Sequence, residues 1–109
     1  MNVFVITGAS DGIGAEMARQ LARSQGAQAG IVLAARHREK LDAVAAQCRA
    51  SGAQALVCVT DVSEEAECRA LIEAAIAQFG RIDALVNNAG MSAQALFAEV
   101  KAQDLHWYE

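Results

Sequence analysis

The chain has 109 residues, of which 54% are hydrophobic and 20% are charged, so it predicts one small folded domain with its own core and excludes a disordered chain. Its net charge of −4 argues against a nucleic-acid partner. Its apolar runs are far shorter than the roughly 18 residues of a membrane span, and Asn2 leads straight into the first strand, so we expect no membrane partner and no signal peptide.

The three cysteines, Cys48, Cys58 and Cys68, are an odd number and show no C-x-x-C spacing. This pattern favours neither a disulfide framework nor a metal site, so we assign no metal ligand. Small apolar thiols are typical of a reducing compartment, and we therefore expect a cytoplasmic location.

The first predicted strand is the apolar run 3–6, and residues 7–14 follow it with the sequence TGASDGIG. A glycine-rich turn between a strand and a helix is suited to phosphate, because backbone N–H groups and the helix dipole converge there. We expect Gly8 to allow the tight turn, Gly12 to let a pyrophosphate approach the backbone, and Gly14 to let the helix pack close to the sheet. The glycines alone leave open an ordinary turn without a ligand.

Helices and strands alternate along the rest of the chain. The first helix starts near Ile13, with an apolar stripe predicted at Ile13, Met17 and Leu21, widened by Ala18 and Ala22. Strands are predicted at 31–35, 55–59 and 82–86. The second helix has the apolar positions Leu41, Val44, Ala45 and Cys48. The third, which Ser63 is expected to cap, has Cys68, Leu71, Ile72, Ala75, Ile76 and Phe79.

The order βαβαβαβ predicts an α/β fold, a Rossmann-like doubly wound parallel sheet with strand order 3-2-1-4, truncated after the fourth strand. We interpret residues 1–109 as a single dinucleotide-binding domain that is incomplete at its C-terminus. Ligands of such sheets bind at the carboxyl ends of the strands, and that edge is where residues 7–14, Arg36, Asp61 and residues 87–90 should meet.

The TGxxxGxG pattern of residues 7–14, together with Asn87, Asn88, Ala89 and Gly90, resembles the short-chain dehydrogenase/reductase family. The resemblance covers essentially the whole chain. It implies adenine contacts for Asp61 and Val62, and a backbone that lines the ribose and nicotinamide at Asn88, Ala89 and Gly90. It also implies a sheet-stabilising role for Asn87. From the residues themselves, Ser10, Asp11 and Ile13 lie beside the phosphates.

Simpler interpretations stay open at two of these positions. Asn87 and Asn88 could form an ordinary turn after a strand, and Asp61 could be an acid at the entry of a helix.

Arg36 is the most informative single residue. A carboxylate at the end of the second strand would bind the ribose 2′-OH of NAD, whereas an arginine accommodates the 2′-phosphate of NADP. Here the strand ends in Ala35 and Arg36, Arg38 is close by, and no acid occurs before Glu39. We therefore predict NADP as the cofactor, although Ser10 and Asp11 add no basic residue. The alternative is a solvated basic turn.

No catalytic residue is assigned. The family's chemistry uses a serine on the fifth strand, a Tyr-x-x-x-Lys pair on the next helix and an asparagine on the fourth helix. Tyr108 is the only tyrosine and is followed by Glu109 alone, while Ser92 comes too early for the catalytic serine. His106 and Trp107 are interpreted as helix-surface or packing residues. We expect residues 1–109 by themselves to reduce no carbonyl compound.

The resemblance implies an NADP(H)-dependent oxidoreductase that interconverts a ketone and a secondary alcohol, with a small-molecule substrate and a homo-oligomeric full-length protein. The alternatives are a non-catalytic dinucleotide-binding module and an inactive gene fragment. We also expect a bare apolar edge at the fourth strand to make these residues aggregation-prone by themselves.

Overall fold

The structure is a computed structural model that describes residues 1–88. The predicted features at Ala89, Gly90, Ser92 and residues 93–109 lie outside the described residues. The elements, in chain order, are β1 (Asn2–Thr7), α1 (Gly12–Gln25), a short 3-10 helix (Gly26–Gln28), β2 (Ala29–Ala35), α2 (Arg38–Ala50), β3 (Gln54–Val59), α3 (Glu65–Phe79) and β4 (Ala84–Val86).

The four strands form one parallel sheet in the order β3-β2-β1-β4, which confirms the predicted doubly wound, Rossmann-like fold. In the centre of the sheet, Val5 pairs with Val32 of β2 and with Leu85 of β4. The chain therefore runs outward from β1 to β3 and then crosses back to β4. The carboxyl ends of all four strands lie along one edge, and this edge positions the candidate site.

The two faces of the sheet carry separate cores. Val3 and Val5 of β1 face α3, while Ile6 of the same strand faces α1 and α2. All three side chains are fully buried. The buried face of α2, formed by Leu41, Val44, Ala45 and Cys48, agrees with the prediction.

The predicted apolar stripe of α1 is confirmed at Ala18 and Ala22 and wrong at Ile13. The helix buries small residues, namely Gly14, Ala15, Ala18 and Ala22. Ile13 is instead 71% exposed, and Met17 and Leu21 are half-buried. Side chains of this size bring the helix axis close to the sheet, so the larger apolar residues are turned away from the tightest contact.

Ser63 does not cap α3, contrary to the prediction. Its hydroxyl donates to the Asp61 carboxylate oxygen Oδ1 at 2.6 Å, and its backbone N–H donates to the same atom at 3.0 Å. The helix begins two residues later at Glu65, with Glu64 at the N-cap position and no side-chain cap bond. The Ser63 hydroxyl and N–H therefore close a turn on Asp61, and Ser63 lies one residue before the N-cap position of the helix.

β4 is shorter than predicted, because Ile82 and Asp83 precede the strand. Hydrogen bonds nevertheless join β1 to the segment that precedes β4. The Asp83 carboxylate accepts the N–H of buried Val3 at 2.7 Å, and the Asp83 N–H donates to the Val3 carbonyl at 2.8 Å. Hydrogen bonds from Arg81 and from the Val3 N–H hold the pKa of Asp83 below its ordinary value against the opposing effect of burial.

We predict that Asp83→Ala lowers the free energy of unfolding by about 1–3 kcal/mol at neutral pH, because the Val3 N–H loses its acceptor. Asp83→Asn keeps an oxygen at this position and should cost less. A carboxyl with a depressed pKa stabilises the fold above its unfolded-state pKa, and this contribution disappears as the pH falls through its folded-state pKa. Urea unfolding near neutral pH and at a pH low enough to protonate Asp83 in the folded chain measures the difference. Equal destabilisation by the Ala variant at both pH values would contradict this role.

Candidate functional site

A cleft of about 450 Å³ opens at the carboxyl ends of β1, β2 and β3. Its walls come from the segments that directly follow these strands. The lining residues are Gly8, Ser10, Asp11, Ala35, Arg36, His37, Thr60, Asp61, Val62 and Ser63. A volume of this size is within the range of small-molecule and cofactor sites.

The glycine loop forms the β1 wall of the cleft. Gly8 and Gly12 have φ angles of +62° and +59°, a left-handed conformation that favours glycine. A Cβ at Gly12 would meet nothing within 4 Å, so the backbone there faces open space that a ligand could approach. A Cβ at Gly14 would lie 2.2 Å from the Gly8 carbonyl oxygen. The close contact predicted between Gly14 and the sheet is thus a contact with the loop at the end of β1.

The N-terminus of α1 points its first amide groups toward this loop without a side-chain cap. Asp11 occupies the N-cap position, yet its carboxylate makes no cap hydrogen bond. It pairs instead with Lys40 of α2, where Asp11 Oδ2 and Lys40 Nζ are 3.2 Å apart. The first N–H groups of a helix lack partners within the helix, so they attract an anion to this end.

A buried hydroxyl joins the glycine loop to the turn after β4. Thr7 is fully buried, and its Oγ1 accepts the N–H of Asn88 at 2.9 Å. The single hydroxyl proton lies within reach of the Val86 carbonyl oxygen at 3.4 Å and the Asn87 side-chain oxygen at 3.2 Å. Asn88 also approaches the loop, because its Nδ2 would lie 3.1 Å from a Cβ at Gly8. Sequence reasoning gave Thr7 no role of its own, although a threonine ending an apolar strand before a glycine was a visible signal.

The β2 wall is basic. Ala35, Arg36 and His37 line the cleft in succession, and Arg36 and His37 are exposed. Among residues 1–88, the Arg36 guanidinium has no hydrogen bond or ion-pair partner. An unpaired guanidinium in a cleft is available for an anionic ligand, and its planar fork suits phosphate.

The β3 wall carries an ionised carboxylate. Hydrogen bonds from the hydroxyl and the backbone N–H of Ser63 lower the pKa of Asp61, and the positive charge of Arg36 adds to this effect. The backbone N–H of Asp61 donates to Glu67 Oε1 at 2.8 Å, which ties the turn to α3. Val62 beside it packs against the core on the α3 face. Asp61 therefore stays an acceptor at neutral pH, ready for a donor group on a ligand.

The structure brings half of the predicted site residues into this one cleft. These are Gly8, Ser10, Asp11, Arg36, Asp61 and Val62. Gly12, Ile13 and Gly14 form the adjoining start of α1, and Asn88 lies beside the loop. Ala89 and Gly90 lie outside the described residues. Four cleft residues were not predicted as site residues, namely Ala35, His37, Thr60 and Ser63, although their positions next to predicted residues at the strand ends could have identified them.

Comparison with known proteins decides the family. A family model described as short chain dehydrogenase matches residues 2–109. The chain belongs to the short-chain dehydrogenase family. An uncharacterised oxidoreductase of Methylorubrum extorquens is 44% identical over 98 residues, which cover 90% of this chain and 39% of that protein.

Two solved structures are also similar to this chain. L-sorbose reductase from Gluconobacter frateurii, complexed with NADPH and L-sorbose, is 37% identical with a TM-score of 0.75, covering 83% of this chain and 34% of that one. An NAD⁺-bound xylitol dehydrogenase is 34% identical with a TM-score of 0.75, and the same shares are covered. The chain thus spans well under half of the length of these relatives. The comparisons support a nicotinamide dinucleotide as the cofactor of the family.

Residues 1–88 contain neither a membrane-spanning helix nor a group of metal ligands. None of the helices in this range is both long and apolar enough to cross a membrane. Nor does this range contain a group of three or more His, Cys, Asp or Glu side chains placed to hold a metal ion.

We predict that Thr7→Val lowers the free energy of unfolding by about 1–3 kcal/mol, because the Asn88 N–H loses its acceptor. The matched control is Thr60→Val. Thr60 is also a buried threonine at a strand end, but its hydroxyl donates only to the Cys58 carbonyl two residues away, at 3.0 Å. Urea unfolding and amide exchange at Asn88 measure both variants. Destabilisation by Thr60→Val that equals that of Thr7→Val would contradict the linking role of Thr7.

Proposed function

We propose that this chain forms the NADP(H)-binding part of an oxidoreductase that interconverts a ketone and a secondary alcohol. The observation that carries the proposal is the Arg36 guanidinium, which lines the cleft at the end of β2 and makes no hydrogen bond or ion pair with the described residues. A carboxylate in this place would select the ribose hydroxyl of NAD, whereas an arginine suits the additional phosphate of NADP.

The residues of the cleft fit such a cofactor. Gly12 faces open space, and the uncapped start of α1 supplies amide donors for the pyrophosphate, with the Ser10 hydroxyl nearby. The ionised Asp61 accepts from the adenine amino group, and Val62 packs against the ring. Asn88, with Ala89 and Gly90, is proposed to line the ribose and nicotinamide, as in the family that the chain resembles.

When bound, NADPH supplies the hydride that reduces a carbonyl carbon. The described residues contribute binding and orientation. The α1 start and Arg36 hold the two phosphate-bearing parts of the cofactor, while Thr7 sets the position of Asn88 against the glycine loop. We place no proton transfer on the side chains of residues 1–88. In this proposal, residues 1–109 are a single dinucleotide-binding domain of a cytoplasmic, homo-oligomeric enzyme with a small-molecule substrate.

We predict that the chain binds NADPH more tightly than NADH, and that Arg36→Ala weakens NADPH binding by about tenfold to a hundredfold, the effect of losing a hydrogen bond to a charged group. Binding of NADH should change by less than about twofold, since it lacks the 2′-phosphate. Isothermal titration calorimetry measures both affinities.

The control for this experiment is Arg23→Ala, an exposed arginine on α1 that pairs with Glu16 at 3.2 Å. It should leave both affinities unchanged. Tighter binding of NADH by the unsubstituted chain, or equal weakening of both cofactors by Arg36→Ala, would contradict the NADP assignment.

A further inference from the structure

One member of an exposed ion pair lines the cleft. Lys40 Nζ and Asp11 Oδ2 are 3.2 Å apart, with 56% and 70% of their side chains exposed. The pair joins the first turn of α2 to the N-cap of α1. Asp11 lines the same cleft as Arg36, and the Lys40 ammonium contacts the Asp11 carboxylate.

The members of such an ion pair readily exchange their partner for another charged group. Two exposed charged side chains gain little from their contact, because water solvates both of them well when they are apart. A phosphate monoester carries close to two negative charges at neutral pH and three strong acceptor oxygens, so it is a better partner for an ammonium than one carboxylate is. Lys40 can therefore leave Asp11 when a phosphate enters the cleft.

We propose that Lys40 is a second cation for the 2′-phosphate, and that Asp11 competes with the phosphate for it. The inference rests on the proposed function, because it requires a ligand that carries this phosphate beside Arg36. Two cations, Arg36 and Lys40, then match a dianionic group. Asp11 keeps its negative charge at the start of α1, where the helix dipole favours it.

The exchange makes the pair a determinant of cofactor selectivity. A cofactor with a free ribose 2′-hydroxyl offers Lys40 no anion. The ion pair between Lys40 and Asp11 then stays intact and contributes nothing to binding. A cofactor with a 2′-phosphate draws Lys40 away from Asp11. Asp11 therefore weakens the preference for NADPH, and Lys40 strengthens it.

The test measures NADPH and NADH affinities by isothermal titration calorimetry for the unsubstituted chain and for Lys40→Gln, Lys40→Arg, Asp11→Asn and Asp11→Asn with Lys40→Gln. We expect Lys40→Gln to lower the ratio of NADPH to NADH affinity by about fivefold, as a lost partly exposed charge contact does, while Lys40→Arg retains the ratio. Asp11→Asn should raise the ratio. In the Asp11→Asn background, Lys40→Gln should lower it at least as much as in the unsubstituted chain.

Three outcomes overturn the inference. If Lys40→Gln has no effect in the Asp11→Asn background, Lys40 only shields the ligand from Asp11. If Lys40→Gln weakens NADPH and NADH equally, Lys40 acts on the shared pyrophosphate. If the unsubstituted chain prefers NADPH through Arg36 and no Lys40 variant changes the preference, the inference fails while the proposed function stands. A chain without any preference for NADPH contradicts both.

Discussion

The buried hydroxyl of Thr7 is the contact on which the geometry of the site depends. Thr7 is the last residue of β1. Its hydroxyl accepts the N–H of Asn88 and so holds the turn after β4 against the glycine loop. Asn88 in turn lies against Gly8, and the start of α1 lies against the Gly8 carbonyl at Gly14. One wall of the cleft therefore depends on Gly8 and Gly14, where a Cβ would crowd neighbouring atoms, and a hydroxyl that is inaccessible to solvent holds this wall in position.

The opposite walls act through side-chain charge. Arg36 follows β2 and Asp61 follows β3, and the charge of Arg36 helps to keep Asp61 ionised. Along the sheet edge, the negative charge of Asp61 comes first, then the positive charge of Arg36, and then the amide groups at the start of α1. This arrangement suits a ligand that has phosphate at one place and hydrogen-bond donors at another, as an adenine nucleotide does. The Lys40–Asp11 pair adds a second cation that is neutralised until an anion competes for it.

The sheet order and the buried face of α2 could be predicted from the sequence, because alternation of strands and helices and helical periodicity determine them directly. The predictions that failed depend on close packing and on side-chain hydrogen bonds, which the periodicity of the sequence does not reveal. The predicted stripe of α1 was wrong at Ile13, because close packing on the sheet favours the alanines of the helix. Ser63 was assigned as a cap, but α3 begins later, with Glu64 at its N-cap position, and the Ser63 hydroxyl donates to Asp61. The start of β4 was misplaced because the Asp83 side chain replaces a backbone acceptor for Val3, a contact across 80 residues.

The positions of site residues were predictable because they follow strand ends, whereas Lys40 and Thr7 act through contacts that only the folded chain shows. The most direct test of the account is a ¹H–¹⁵N NMR titration of the chain with NADPH and with NADH. We expect both to shift the amides of Gly12 and Ile13, and only NADPH to shift the Arg36 side-chain Nε–H resonance strongly. Equal shifts of the Arg36 resonance by both cofactors, or shifts confined to residues away from the cleft, would contradict the account.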